Sequence, residues 1–131
     1  MTRPKLSRKI IHTEHAPAAL GPYSQAIKTD GYIFVSGQLG LDPQTGQLRQ
    51  GLEAQTQQIL QNLAAILEAS GSSMANIVKT TIFLVDMGDF STVNQIYGGA
   101  FEDAPPARST VQVAALPLGG LVEIEAIANV T

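Results

Sequence analysis

After Lys79 this chain carries a single further cation, Arg108, at the end of a Pro-Pro-Ala-Arg run. A guanidinium at a rigid strand entry can grip a carboxylate with two parallel N–H bonds, which the point charge of a lysine matches less well. The other reading is a strand-end arginine paired with a nearby Asp or Glu. Glu123 and Glu125 fall on one face of the last strand-like run, LVEIEAIANV. Desolvation disfavours the charged form of a half-buried glutamate, so such a group can orient or deprotonate a water. The alternative makes both glutamates rim residues or intersubunit salt-bridge partners.

The remaining candidates are weaker. His12 and His15 stand beside Pro17 in strand or loop, share no helical face and have no third ligand nearby, so neither metal nor cofactor is expected. With no cysteine there is no thiolate nucleophile and no disulfide framework. Ser36 in VSGQLG and Tyr23 in GPYSQA lack the His and Asp that would make a nucleophile. They read as a hydroxyl closing strand-end backbone and as interface packing. Gly37 and Gly40 form no phosphate loop, since neither a helix nor GK[ST] follows. Lys79 reads as a solvated strand-end lysine, with a Schiff-base amine as the alternative. Asn94 reads as a surface polar residue.

The elements that position these residues follow from periodicity. Residues 8–12, 24–28 and 32–37 read as strands, the last two joined as a hairpin through Thr29-Asp30-Gly31. Residues 53–70 repeat Ile59, Leu63, Ile66 and Leu67 at helical spacing, with Gln and Asn opposite and Gly71 as the stop. Residues 78–85 read as a strand. Asp89 is expected to cap a second helix through about Phe101, with Val93, Ile96, Tyr97 and Ala100 on one face. Strands at about 108–115 and 121–130 complete a β-β-β-α-β-α-β-β order. That order predicts a single α+β domain over 1–131, a mixed sheet with two helices on one face. In the last strand Val122, Ile124, Ala126, Ala128 and Val130 fit beneath helices. Leu121, Glu123, Glu125 and Ile127 fall on the uncovered side, suiting a subunit interface with a polar pocket.

Charge narrows the partners. Charged residues are 15% of the chain, against about 25% in a typical soluble domain. So poorly charged a surface predicts self-association. From residue 10 onward four cations (Lys28, Arg49, Lys79, Arg108) face all 11 acids, a balance of −7, which argues against nucleic acid as a partner. The basic start, Arg3, Lys5, Arg8 and Lys9, has no signal-type apolar run behind it. A cytoplasmic protein is the simpler expectation, a trimmed transit peptide the alternative. No apolar run approaches the roughly 18 residues of a membrane span.

The stretches APAALGPYSQAI (16–27), FVSGQLGLDPQTG (34–46), IVKTTIFLVDMGDFSTVNQIY (77–97), PARSTVQVAALP (106–117) and VEIEAIA (122–128) resemble, in order and spacing, the reactive intermediate deaminase (Rid, YjgF-type) family, in its RidA-like branch. The resemblance implies a chorismate-mutase-like homotrimer with the bare sheet face inside and three clefts between neighbouring subunits. It implies a 2-iminobutanoate/2-iminopropanoate deaminase, hydrolysing imines and enamines such as 2-aminoacrylate, released by pyridoxal-phosphate enzymes, to 2-oxo acids and ammonia. By position, Arg108 matches the arginine holding the substrate carboxylate, and Glu123 the glutamate acting on the attacking water. Tyr23, Ser36 and Asn94 match the rest of the pocket. Thr110 stands where some members have cysteine, and Pro105 where an aromatic is common. Two further readings come with the family: a ribonuclease or translation inhibitor, and a non-catalytic ligand-sensing or chaperone-like trimer.

Overall fold

The computed structural model describes residues 7–130, so Arg3 and Lys5 of the basic start lie outside the described residues. The strands are β1 (Lys9–Ile11), β2 (Ala26–Thr29), β3 (Tyr32–Leu39), β4 (Ile77–Leu84), β5 (Ala107–Gln112) and β6 (Val122–Asn129). The helices are α1 (Leu52–Ala69) and α2 (Phe90–Ala100), and the order along the chain is the expected one. The strands form one sheet in the order β1-β2-β3-β6-β4-β5. It is mixed because α2 carries the chain back from β4 to a parallel β5, while the other neighbours pair antiparallel. Asp30 and Gly31 at the β2–β3 turn both have positive φ, 49° and 82°, the geometry that matches the twist of a two-residue hairpin.

Burial in β6 alternates. Val122, Ile124, Ala126 and Ala128 are buried, while Glu123, Glu125 and Ile127 are not. Ile59, Leu63, Ile66 and Leu67 of α1 pack on the buried parity with Ile33 and Val35, and α2 adds Val93 and Tyr97. The other face keeps Tyr32 and Phe34, each 46% exposed.

Four expectations need correction. The amides of α1 do not all face water: Gln55, Gln58 and Asn62 are buried. Their spacing of three and four residues puts them on a second inward stripe against the 39–50 segment. Asn62 Nδ2 donates to the carbonyls of Leu39 (3.3 Å) and Leu41 (3.1 Å), and Gln58 Nε2 donates to Asn62 Oδ1 (2.8 Å). Arg49 Nε closes the chain of bonds on Gln58 Oε1 at 3.0 Å. Asp89 makes no side-chain cap; Asp86, one short turn earlier, accepts from Gly88 N at 2.8 Å. Ala100 is exposed rather than on the inward face of α2, and β5 ends at Gln112 rather than near 115.

Asn62→Ala leaves two carbonyls and the Gln58 amide without their partner, which costs about 2–3 kcal/mol. Urea unfolding checks this against Gln57→Ala, an exposed neighbour expected to stay within about 0.5 kcal/mol.

Candidate functional site

Arg108 pairs with Thr80 in the β4–β5 register, and Thr80 is buried beneath α2, its hydroxyl 2.7 Å from the Tyr97 hydroxyl. Arg108 therefore stands on the helix side of the sheet, on its edge strand. Its Nη1 donates to Asn94 Oδ1 at 2.7 Å. The guanidinium carbon lies 5.4 Å from the Phe90 ring centre and 5.1 Å from that of Tyr97, within cation–π range. Phe90, Asn94 and Tyr97 follow one another at steps of four and three, so a single stripe of α2 holds the guanidinium. Burial raises the Tyr97 pKa, against the smaller lowering effects of the Thr80 hydrogen bond and the Arg108 charge, so the clamp stays neutral. Asn94, Tyr97, Phe101, Pro105, Pro106 and Arg108 line a hollow of about 420 Å³. No carboxylate neutralises Arg108: among the described residues the ion pair within 4.0 Å is Arg49–Asp42, at 3.3 Å. The strand-end ion-pair reading is thereby set aside.

Glu123 lies on the opposite face, in a cavity of about 690 Å³ that Tyr23, Ser36, Gly37, Leu39, Leu118 and Glu125 also line. A bulge in β3 shapes it. Val35 pairs with Ala126 and Gln38 with Ile124, so Ser36 and Gly37 together oppose Glu125. Gly37 is set against the Glu123 carboxylate: a Cβ there would stand 2.2 Å from Oε1. The Ser36 hydroxyl donates to Ser24 O at 2.6 Å, the backbone-closing role its position suggested. Gln25, buried, donates to Pro17 O (2.8 Å) and Thr13 O (3.0 Å), holding the loop that presents Tyr23. Burial raises the Glu123 pKa, and the charge of Glu125 raises it further.

The structure thus gathers Tyr23, Ser36 and Glu123 in one cavity and Arg108 with Asn94 in another, on opposite faces of the sheet. Thr110 lines neither. It follows Arg108 by two residues on the same face, opposite Ile82, and its Oγ1 is shielded without a hydrogen-bond partner among the described residues. Lys79 Nζ donates to Ser109 Oγ at 2.8 Å. His15 lies in a polar hollow with Glu14, Asp42 and Arg49, and His12 is exposed. Among the described residues no group of three or more His, Cys, Asp or Glu is placed to hold a metal, and no helix is long and apolar enough to cross a membrane. The sequence reading gives Phe90 no role, takes Tyr97 only as part of the inward helix face and weighs Gly37 only against a phosphate loop. The first two carried a signal in their helical spacing with Asn94.

A six-stranded mixed sheet with two helices on one face defines a class of small α+β proteins that includes the YjgF gene product of E. coli. That structure is 48% identical, covers 92% of this chain and 98% of its own, and superposes with a TM-score of 0.88. RidA from a Psychrobacter species matches at 47% identity and a TM-score of 0.90, over 92% of this chain and 98% of its own. The profile described as endoribonuclease L-PSP matches residues 13–130, and the chain belongs to that family, the YjgF/Rid family. Among its relatives is a mouse protein, 56% identical over 122 residues, 92% of this chain and 90% of that protein. A human relative is 50% identical over 124 residues, 94% of this chain and 90% of that protein. Both are named 2-iminobutanoate/2-iminopropanoate deaminase.

Two substitutions test the Glu123 geometry by carbon-detected NMR titration of its side chain. Glu125→Gln removes the smaller raising cause and lowers the Glu123 pKa, burial still holding it above the ordinary carboxylate range. Gly37→Ala pushes the carboxylate toward water and lowers it as well; a titration overlaying the parent's would mean that Glu123 does not lie against Gly37. The linkage has a definite sign. A raised folded-state pKa favours the fold at acidic pH, and that contribution fades as pH rises through the raised value.

Proposed function

We propose that this chain is a 2-imino acid deaminase, converting imines and their enamine tautomers to 2-oxo acids and ammonia in the cytoplasm. The observation that carries the reading is Arg108, a guanidinium held by an amide and two aromatic faces with no carboxylate of its own. The names of the mouse and human relatives support the same chemistry.

Arg108 takes the substrate carboxylate through donors left free by Asn94. A protonated imine is already electrophilic at carbon, so the chain need only place it, hold a water on that carbon and manage protons. Glu123, its carboxyl pushed up by burial, accepts a proton as the water oxygen bonds to carbon. The proton passes to nitrogen in the tetrahedral adduct; as the C–N bond breaks the adduct's hydroxyl gives its own proton to the freed Glu123 carboxylate, and ammonia leaves with the 2-oxo acid. Tyr23 and Ser36 complete the wall.

The two halves lie on opposite faces of one protomer, so the working site is assembled between copies, in a homotrimer. The edge strand carrying Arg108 in one copy is laid on the bare face carrying Glu123 in the next. The exposed Tyr32 and Phe34 and the low charge of the chain favour such burial. The −7 balance opposes a nucleic-acid substrate despite the family's ribonuclease description.

The test is pyruvate formation from 2-aminoacrylate generated by a serine dehydratase. Arg108→Ala and Glu123→Gln each lower the acceleration by about 100-fold or more. Co-refolding the two variants in equal amounts restores roughly one quarter of the parent rate, since that share of random pairs joins an intact Arg108 to an intact Glu123. No recovery would mean that each copy holds a whole site.

A further inference from the structure

Pro117 to Gly120 form a tight turn closed by Gly120 N on Pro117 O at 3.0 Å. Its two central residues both have left-handed backbone, Leu118 at φ 59°, ψ 18° and Gly119 at φ 74°. Asn, Asp or Gly belongs at the first of these positions, and a leucine there is held in a strained conformation. Leu118 recovers little of this by burial in its own protomer, where it is 71% exposed. The turn is nonetheless firmly placed. Gly120 is buried so close to Leu39 that a Cβ would stand 2.8 Å from its Cδ2. The next residue, Leu121, donates its N–H to the buried Gln55 Oε1 at 2.9 Å.

A strained, unburied leucine held on a rigid turn needs a reason, and its surroundings supply one. Leu118 lines the cavity of Glu123 together with Leu20, Leu39 and Leu41, and Leu20 is 87% exposed. Two large apolar side chains are thus presented to a cavity whose polar end carries Glu123. We propose that Leu118, with Leu20 beside it, selects the substrate side chain, favouring a branched apolar group over a methyl group. This rests on the deaminase reading and deepens it. The carboxylate and imino carbon are engaged by Arg108 and Glu123, and the side chain of the imino acid lies against the two leucines. Burying it there returns what the left-handed leucine costs. A hydrophobic wall of this kind discriminates by roughly 10–200-fold per methylene-scale difference.

Leu118→Asn and Leu118→Gly test this without endangering the fold, because both residues accept the left-handed conformation and raise the melting midpoint. Leucine- and alanine-derived imines are generated with an L-amino acid oxidase, and kcat/KM is measured for each. In both variants the leucine-to-alanine ratio falls about 10-fold. An unchanged ratio overturns the proposal, as does a loss of oligomer with no change in ratio, which would make Leu118 an interface residue. If the parent hydrolyses neither imine, the deaminase reading fails by itself. The selector is then read from calorimetric Kd values for 4-methyl-2-oxopentanoate and pyruvate. A ratio that falls in the variants supports it; an unchanged ratio, or no binding of either acid, overturns it.

Discussion

Two helices cover one face of a six-stranded sheet and leave the other bare, and the chemistry of the molecule is organised by that asymmetry. Successive residues of a strand point to opposite faces, so β6 divides its side chains between a packed core and an open surface. The core parity, Val122, Ile124, Ala126 and Ala128, fixes the strand in register beneath α1. A slip of one residue would bury Glu123 and Glu125 and expose the valine and isoleucine. Hydrophobic packing on one side therefore determines where two carboxylates stand on the other. The same rule sets Arg108 through Thr80, whose burial under α2 fixes the facing of its partner in β5.

The buried amides of α1 carry this order into the cavity. Asn62 is bonded to the carbonyls of Leu39 and Leu41, both residues of the Glu123 cavity wall. Gln55 accepts from Leu121 N, at the start of β6, and donates to Arg49 O at 3.0 Å. A carbonyl or N–H left unpaired in these buried positions would be costly, so the amides specify geometry rather than merely tolerate burial. Helix α1 thus positions both ends of a cavity on the far face of the sheet it covers.

How far this was legible depends on whether a signal is local. The alternation of β6 and the apolar repeat of α1 are local, and both read correctly, as did the order of the elements. The amides of α1 were assigned to the wrong side because apolar periodicity treats every polar residue as outward. The spacing of Gln55, Gln58 and Asn62 is as helical as that of the leucines. Asp89 immediately precedes α2 but ends a short turn, and it is Asp86, at the start of that turn, whose side chain makes the cap. The bulge at Ser36-Gly37 was out of reach, since it exists only in the pairing of β3 with β6. For Arg108 the sequence left an ion pair and a free anion site both open. Packing removes the first within the described chain by setting an amide and two rings, not a carboxylate, against the guanidinium. The pocket roles of Tyr23, Ser36 and Asn94 rest on family resemblance, not on spacing.

Separation of the two charged groups also has an energetic logic. An arginine and a glutamate within reach in one half-buried cleft would bond to each other. A ligand carboxylate would then have to break that pair before binding. Arg108 would be neutralised, and the charge of the guanidinium would pull the Glu123 pKa down, weakening it as a proton acceptor. Opposite faces of one sheet prevent this within a protomer. Glu123 instead has Glu125 as its charged neighbour, which acts in the same upward direction as burial. In the proposed assembly the imino acid itself stands between the two groups, its carboxylate toward one and its electrophilic carbon toward the other. Within one protomer the topology leaves Arg108 to an amide and two rings and Glu123 beside a second carboxylate, so neither group neutralises the other.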